Sequence, residues 1–391
     1  MIRREAGFSL VELMVTMVVF VFFIAAASSV FTGLLTQFKQ QSKIVETNIE
    51  GIVGLEILRH DLESAGYGLP WNGLISYNES STNPYGLNDS TLTAAPRAIL
   101  SENNATFSSP NNIFDGSDYL VIKSVNVAQN DTCQKWTTLG FASPYIRTWT
   151  PASENLVDTD RVIVLSPGST DANAKTLIVS GSDFSATFQT VKNGTIPWPP
   201  ADATETRIVY GVDPDTDLRM PFNRADYYIK RPSTNMPQRC AANTGILYKE
   251  TVNQAGGGFT EFPLIDCVAD MQVIFGLDTN TNDIIGTYSD GDTVISWPVG
   301  TPDESATVAD VTAAFSDAAN LRQRVKEVRI YILAHEGQRD PNYTFQAPVS
   351  PSSITVGEFG LGRDFDLSTI TNWQNYRWKL YTIVVKPSNL R

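Results

Sequence analysis

The residue types that bind metals and cut bonds are sparse in this sequence and poorly spaced for either task. Its two histidines, His60 and His335, lie far apart, and neither sits in an H-E-x-x-H string or a cysteine-histidine cluster, so neither has metal-ligand spacing. Gly256-Gly257-Gly258 runs into Phe259-Thr260 where a phosphate-binding loop needs Lys-Thr, and it reads as a flexible turn. No G-x-S-x-G elbow occurs. One stretch is rich in oxygen ligands: Asp278-Thr279-Asn280-Thr281-Asn282-Asp283, followed by Asp290-Gly291-Asp292. Alternating oxygen side chains suit calcium. In the helix-loop-helix calcium pattern, however, Asp283 would stand at the glycine position and Ser289 at the bidentate glutamate position. A calcium-stabilised loop on Asp278, Asn280, Asn282 and Asp283 is the one metal expectation, set against a solvated hairpin turn. No other cofactor is expected, and neither is turnover.

The more informative chemistry is at the N-terminus. A short charged leader, Met1-Ile2-Arg3-Arg4-Glu5-Ala6-Gly7, meets Phe8-Ser9-Leu10-Val11-Glu12 and then an apolar stretch from Leu13 to Leu35. A secretory signal is cut after its apolar region, behind small residues, so that the apolar segment is discarded. Here the natural cut lies before that region, after Gly7. The segment is long enough to cross a bilayer as a helix, yet Glu12 stands at its start, where an unpaired carboxylate is costly.

Gly7-Phe8-Ser9-Leu10-Val11-Glu12 resembles the class III signal of type IV pilins and type II secretion pseudopilins. The resemblance implies that a prepilin peptidase cuts between Gly7 and Phe8 and methylates the new amine, making Phe8 an N-methylphenylalanine, and that Glu12 is the family's acidic residue. Such a cut leaves an amine cation at the membrane face. That cation complements the Glu12 carboxylate of the same or an adjacent subunit, with a strong attraction in low dielectric. Phe8 and Glu12 are thus the expected subunit-assembly pair.

Composition agrees with export. The net charge of −13 over 391 residues argues against a nucleic-acid-binding surface. Three cysteines, at 133, 240 and 267, would meet an oxidising compartment beyond the membrane, leaving one bridge and one thiol. Cys240 and Cys267 flank strand-like segments within Asp226 to Phe275 and are the expected pair, worth roughly 3 to 4 kcal/mol by loop closure.

Four regions are expected: a leader (1–7), a transmembrane or filament-core half-helix (8–35), an amphipathic half-helix (36–66) and a β-rich head (67–391). In the second half-helix Phe38, Val45, Ile49, Ile52, Leu55, Leu58 and Leu62 recur at three- and four-residue steps, a stripe expected to pack on the chain's own head. Gly66 and Gly68 are stop signals, so the helix should end near Ala65-Gly66. The expected fold class is α+β, a long N-terminal helix carrying a large antiparallel sheet. Candidate strands are Tyr119 to Lys123, Arg161 to Leu165, Arg207 to Tyr210, Asp226 to Lys230, Gly245 to Lys249, Met271 to Phe275, Lys326 to Leu333 and Arg377 to Lys386. Val328, Ile330 and Ile332 alternate with Glu327, Arg329 and Tyr331, the pattern of a strand with one face on a core. A helix is expected over 305–323. Residues 67–220 are a candidate extra lobe, and Tyr67 to Phe114 looks the least ordered part.

Later segments narrow the resemblance. Leu58-Arg59-His60-Asp61-Leu62-Glu63-Ser64-Ala65-Gly66-Tyr67, the run Leu264 to Asp278, Asn320-Leu321-Arg322 with Val325 to Ile330, and Tyr376 to Thr382 resemble PilW-like minor pilins. The resemblance implies a low-abundance subunit that joins other minor pilins in a complex which primes pilus assembly and sits at the filament tip, with the major pilin as a further partner. It would engage the prepilin peptidase and an inner-membrane assembly platform. The precursor would lie in the inner membrane with its head in the periplasm, and the assembled pilus at the cell surface. The J-type pseudopilin of type II secretion, built on the same plan, is the alternative; a membrane-anchored extracytoplasmic enzyme or binding protein is the second.

Overall fold

A computed structural model describes residues 9–89, 94–106, 114–141, 146–168, 170, 173–194, 196–296, 306–349, 351–358 and 360–390. Helix α1 (Leu10–Ser64) runs without a break for 55 residues, about 80 Å. The Ser9 side chain accepts the Glu12 backbone N–H at its start. It ends where the sequence places the stop: the Ala65 N–H returns to the Leu62 carbonyl, and Gly66 turns the chain with φ +83°.

The strands, in chain order, are β1 (Ile99–Glu102), β2 (Tyr119–Ser124), β3 (Trp136–Leu139), β4 (Arg161–Ser166), β5 (Thr176–Leu177), β6 (Ala186–Thr187), β7 (Arg207–Asp213) and β8 (Asn223–Lys230). They continue as β9 (Gly245–Val252), β10 (Phe259–Leu277), β11 (Thr287–Ser289), β12 (Val294–Ser296), β13 (Val325–Glu336), β14 (Ser353–Val356), β15 (Arg363–Asp366) and β16 (Arg377–Val385). Nine form one antiparallel sheet in the order β1-β2-β8-β9-β10, where β10 also pairs with β11, itself paired with β12, and with β13, which leads to β16. The fold is α+β, a long helix followed by a large antiparallel sheet.

Every candidate strand falls within one of these, except that β16 stops at Val385, one residue short of the expected Lys386, and β10 extends 12 residues N-terminal to the expected Met271. It pairs with β9 from Phe259 to Val268 and with β13 from Val268 to Leu277. Register shifts at Pro263/Ile265 and Asp266/Val268 accommodate a proline without an N–H and let one strand change partners. Strand β13 also departs from expectation. Val328, Ile330 and Ile332 join the core beneath α1, while Tyr331 and Leu333 on its other face join a second core with Ile354, Val356 and Trp378. Both faces are covered, not one.

A second sheet, β3-β7-β4-β5 with β6 on β4, has its own core of Val162, Val164, Val209, Trp198 and Phe188, the last on the short helix α2 (Phe188–Lys192). Residues 67–220 are therefore divided, since β1 and β2 belong to the main sheet. The expected helix over 305–323 is two short helices, α3 (Val308–Ala314) and α4 (Ala318–Arg324), separated where the Asp317 side chain caps α4 by accepting the Asn320 N–H; Ser305 lies outside the described residues.

The segment 67–89, poor in apolar runs, is held by Leu69, Leu74 and Tyr77 in the main core and by charge. Glu79 and Asp89 receive the fully buried Lys123 ammonium at 2.9 and 2.6 Å, Glu79 also receives Arg224 at 3.0 Å, and Arg97 reaches Asp89 at 2.6 Å. Arg224 in turn pairs with Asp226, which accepts the Tyr119 hydroxyl.

The helix meets the sheet through small residues. Thr47, Gly51, Gly54, Leu58, Asp61, Leu62 and Ala65 form its buried face. A Cβ on Gly54 would lie 2.5 Å from the Leu264 carbonyl oxygen of β10. Gly54→Ala should push α1 off the sheet and lower stability by about 1–3 kcal/mol, read as a fall in the melting midpoint of the full chain in detergent. Gly33→Ala, with nothing within 4 Å, should not lower it.

Candidate assembly face on the long helix

From Ser9 to Lys39 every residue of the helical region is exposed, including Leu10, Val11, Met14, Phe20, Phe22, Phe23 and Phe31. The segment is long and apolar enough to cross a membrane. Glu12 lies in its first turn, exposed on the same apolar rod. Gly7 and Phe8, the expected cleavage pair, fall outside the described residues.

The docked half corrects the sequence expectation. Leu55, Leu58 and Leu62 turn inward, but Phe38 is 71% exposed, and Val45, Ile49 and Ile52 are exposed with it, as is Val53. Small residues let the helix lie close to β10, and the helical period then turns the bulkier apolar positions outward. These side chains extend the apolar surface of the free half along the head. Beside it, a groove of about 840 Å³ runs between Ile52, Val53, Glu56, Ile57 and His60 on the helix and Gln134.

Polar contacts fix this face in place. Asp61 is only 3% exposed. Its carboxylate pairs with Lys249 of β9 at 2.5 Å and accepts the hydroxyl of the buried Tyr227 of β8; His60 Nδ1 lies 3.7 Å from its other oxygen. Further down, the Gly337 N–H donates to Thr47 Oγ1 and Lys379 Nζ to Asn48. Asn126 Nδ2 donates to Ser64 Oγ and Asn389 Nδ2 to the Glu63 carbonyl. Apart from His60, none of these partners stands out in the sequence. The available signal was an aspartate at position 61 between Leu58 and Leu62, on the inward stripe.

Cys240 and Cys267 form the disulfide, and Cys133 is a free buried thiol, pushed up to about 12 by burial. The expected calcium loop is closed by its own chain. Asp278 accepts the N–H groups of Asn282 and Asp283, Asn280 accepts from Asn282, and Asn282 accepts from Ile284. Lys326 brings its ammonium to Asp283 at 2.7 Å and to Asp278 at 3.7 Å. Among the described residues no three His, Cys, Asp or Glu side chains are grouped to hold a metal. His335 is buried beside Tyr376 and Trp378, and its Nε2 accepts the Ala241 N–H next to the disulfide.

Residues 226–389 match the family model described as type IV pilus-assembly protein W, and residues 2–28 match the prokaryotic N-terminal methylation motif. Among solved structures, a type IV-like pilin from Thermus thermophilus matches at 16% identity and a TM-score of 0.18, over 43% of this chain and 80% of its own. No curated protein matches the chain.

Removing the Asp61 carboxylate leaves the Lys249 ammonium buried without its charge partner. Asp61→Ala should therefore cost about 3–5 kcal/mol, measured by denaturant unfolding of the full chain in detergent. His335 carries a pH dependence of defined sign. Burial lowers its pKa from 6.5 to about 3, so below pH 6.5 the unfolded chain binds a proton that the folded chain refuses. Its contribution should fall by about 2 kcal/mol between neutral pH and about pH 5 and level off near pH 3. His335→Gln should flatten that part of the stability profile.

Proposed function

We propose that this PilW-like type IV pilin is a minor subunit that helps to prime pilus assembly and sits at the filament tip. The observation that carries the reading is the continuous apolar face of α1, exposed along its free half and again at Val45, Ile49, Ile52 and Val53 beside the head. In a bilayer the free half is solvated by lipid; in a filament the same side chains are covered by neighbouring helices. The large two-sheet head supports an end position, because a bulky domain is hard to repeat along a tightly packed shaft.

In this reading the prepilin peptidase trims the leader after Gly7 and methylates Phe8. The terminal amine then pairs with a Glu12 carboxylate and sets register against the other minor pilins and the major pilin. The precursor waits in the inner membrane with its head in the periplasm, where an assembly platform extracts it, and it ends at the cell surface. The protein performs no turnover and needs no cofactor, Lys326 supplying the positive charge of the 278–283 loop.

Glu12→Ala should leave membrane insertion intact while lowering recovery of the subunit in sheared pili by about tenfold or more, the consequence of losing an ion pair in low dielectric. Immunoblots of membrane and pilus fractions read both quantities. Normal incorporation of the variant would remove the assembly mechanism, and immunogold label spread along the shaft would remove the tip placement.

A further inference from the structure

The exposed side of α1 keeps a seven-residue period. Leu10, Met17, Ile24, Phe31, Phe38, Val45 and Ile52 stand one heptad apart, and every one of them is large, apolar and exposed. Over the free half this says little, because most positions there are apolar. Beyond Leu35 the same step continues through Phe38, Val45 and Ile52 among Gln37, Lys39, Gln41, Ser42, Lys43 and Glu46, and Ile49 lies beside it at the next turn from Val45. Lipid covers the free half; it does not reach this extension.

Two features name the shape that fits such a stripe. An α-helix turns every 3.6 residues, so a strict heptad drifts by about 20° per repeat, about 120° over the steps from Leu10 to Ile52. A flat surface does not follow that drift, whereas a second helix wound left-handed around the first does. The other feature is charge. With the heptad residues at position a, no a, d, e or g position from Val30 to Leu55 is charged, and Lys39, Lys43 and Glu46 fall at b and f. The flanking e and g positions, which set partner choice in paired helices, hold Gln37, Ser42, Ile44 and Ile49, so nothing there repels an identical helix.

The head leaves the stripe open. Its contacts on Thr47, Gly51, Gly54 and Leu58 fall at c and g, away from a and e. The stripe stops at Glu56 and Arg59, the next e and a positions, which pair with each other at 3.7 Å. At that upper end the groove of about 840 Å³ beside Ile52, Val53 and Gln134 separates helix from head. Two copies anchored through the same apolar half stand in the same direction, and in a parallel pair position a faces position a.

We propose that two copies of this chain pair through α1 in a parallel, left-handed seam about 63 Å long, running from Leu10 to Ile52, with the groove receiving the upper end of the partner helix. The proposal rests on the reading of α1 as an assembly face, and it adds the partner and the register. Pairing belongs to the membrane-anchored chain, apart from its entry into a filament.

Cysteine crosslinking in membranes tests the contact. Phe38→Cys and Val45→Cys, each in the full chain carrying Cys133→Ala, should give a disulfide-linked dimer of this chain on oxidation, and Lys43→Cys, at position f, should give only background. Equal yields at all three sites, no dimer at any, or a crosslinked product holding a different pilin in place of the second copy would overturn the proposal. Val45→Asp puts a charge into the seam and should weaken self-association by about tenfold or more, read by sedimentation equilibrium of the full chain in detergent, with the melting midpoint reporting folding. Unchanged association in the folded variant would likewise overturn it. Recovery in sheared pili is a separate readout, so a chain that stays single in the membrane yet enters pili through Glu12 would sink the seam and leave the assembly reading standing.

Discussion

The closeness of α1 to β10 governs the rest of the molecule. At Gly54 there is no room for even a methyl group above the Leu264 carbonyl, and two turns on, Asp61 is drawn into the head by Lys249 and Tyr227. A helix held this close by its small residues has no choice about its other side. The bulkier apolar side chains at 45, 49, 52 and 53 face away from the sheet. The free half of the rod is largely apolar on every side, and the docked half keeps a strip of exposed apolar side chains beside the head while Leu55, Leu58 and Leu62 pack beneath it. The exposed apolar strip thus follows from the close packing of the helix on the sheet.

The head answers a different physical problem. Its large loop segment, 67–89, has too few apolar residues to be held by burial alone. Glu79 and Asp89 bring it onto the sheet through Lys123, Arg97 and Arg224, charges taken out of water together and satisfied together. Such a cluster tolerates no partial version, because loss of one partner leaves a buried ion behind. Apolar packing closes the sheets, while the strap needs both packing and charge, Leu69, Leu74 and Tyr77 entering the core beside the charge cluster.

What could be read from the sequence was local. The alternation at Val328, Ile330 and Ile332 marks β13, and Gly66 marks the end of α1, because each signal lies within a few residues of its effect. The rod with Glu12 was legible for the same reason. The docking face was not: Thr47, Gly51 and Gly54 give no apolar periodicity, so the louder stripe of Phe38, Val45, Ile49 and Ile52 suggested the wrong side. Nor was the full length of β10, since Pro263 and the register shifts around it interrupt the period-two pattern. The partners of Asp61 lie far along the chain, Tyr227 166 residues away and Lys249 further still, and Glu79 meets Arg224 across 145 residues.

The strands beneath the helix also impose a schedule. The surface on which α1 rests is built from β10, β13 and β16, all in the last third of the chain, while α1 is the first element to leave the ribosome. The earliest segment must therefore wait, exposed, for the latest one. The docked face, which carries the Asp61 carboxylate, stays in contact with solvent until the last strands have been made.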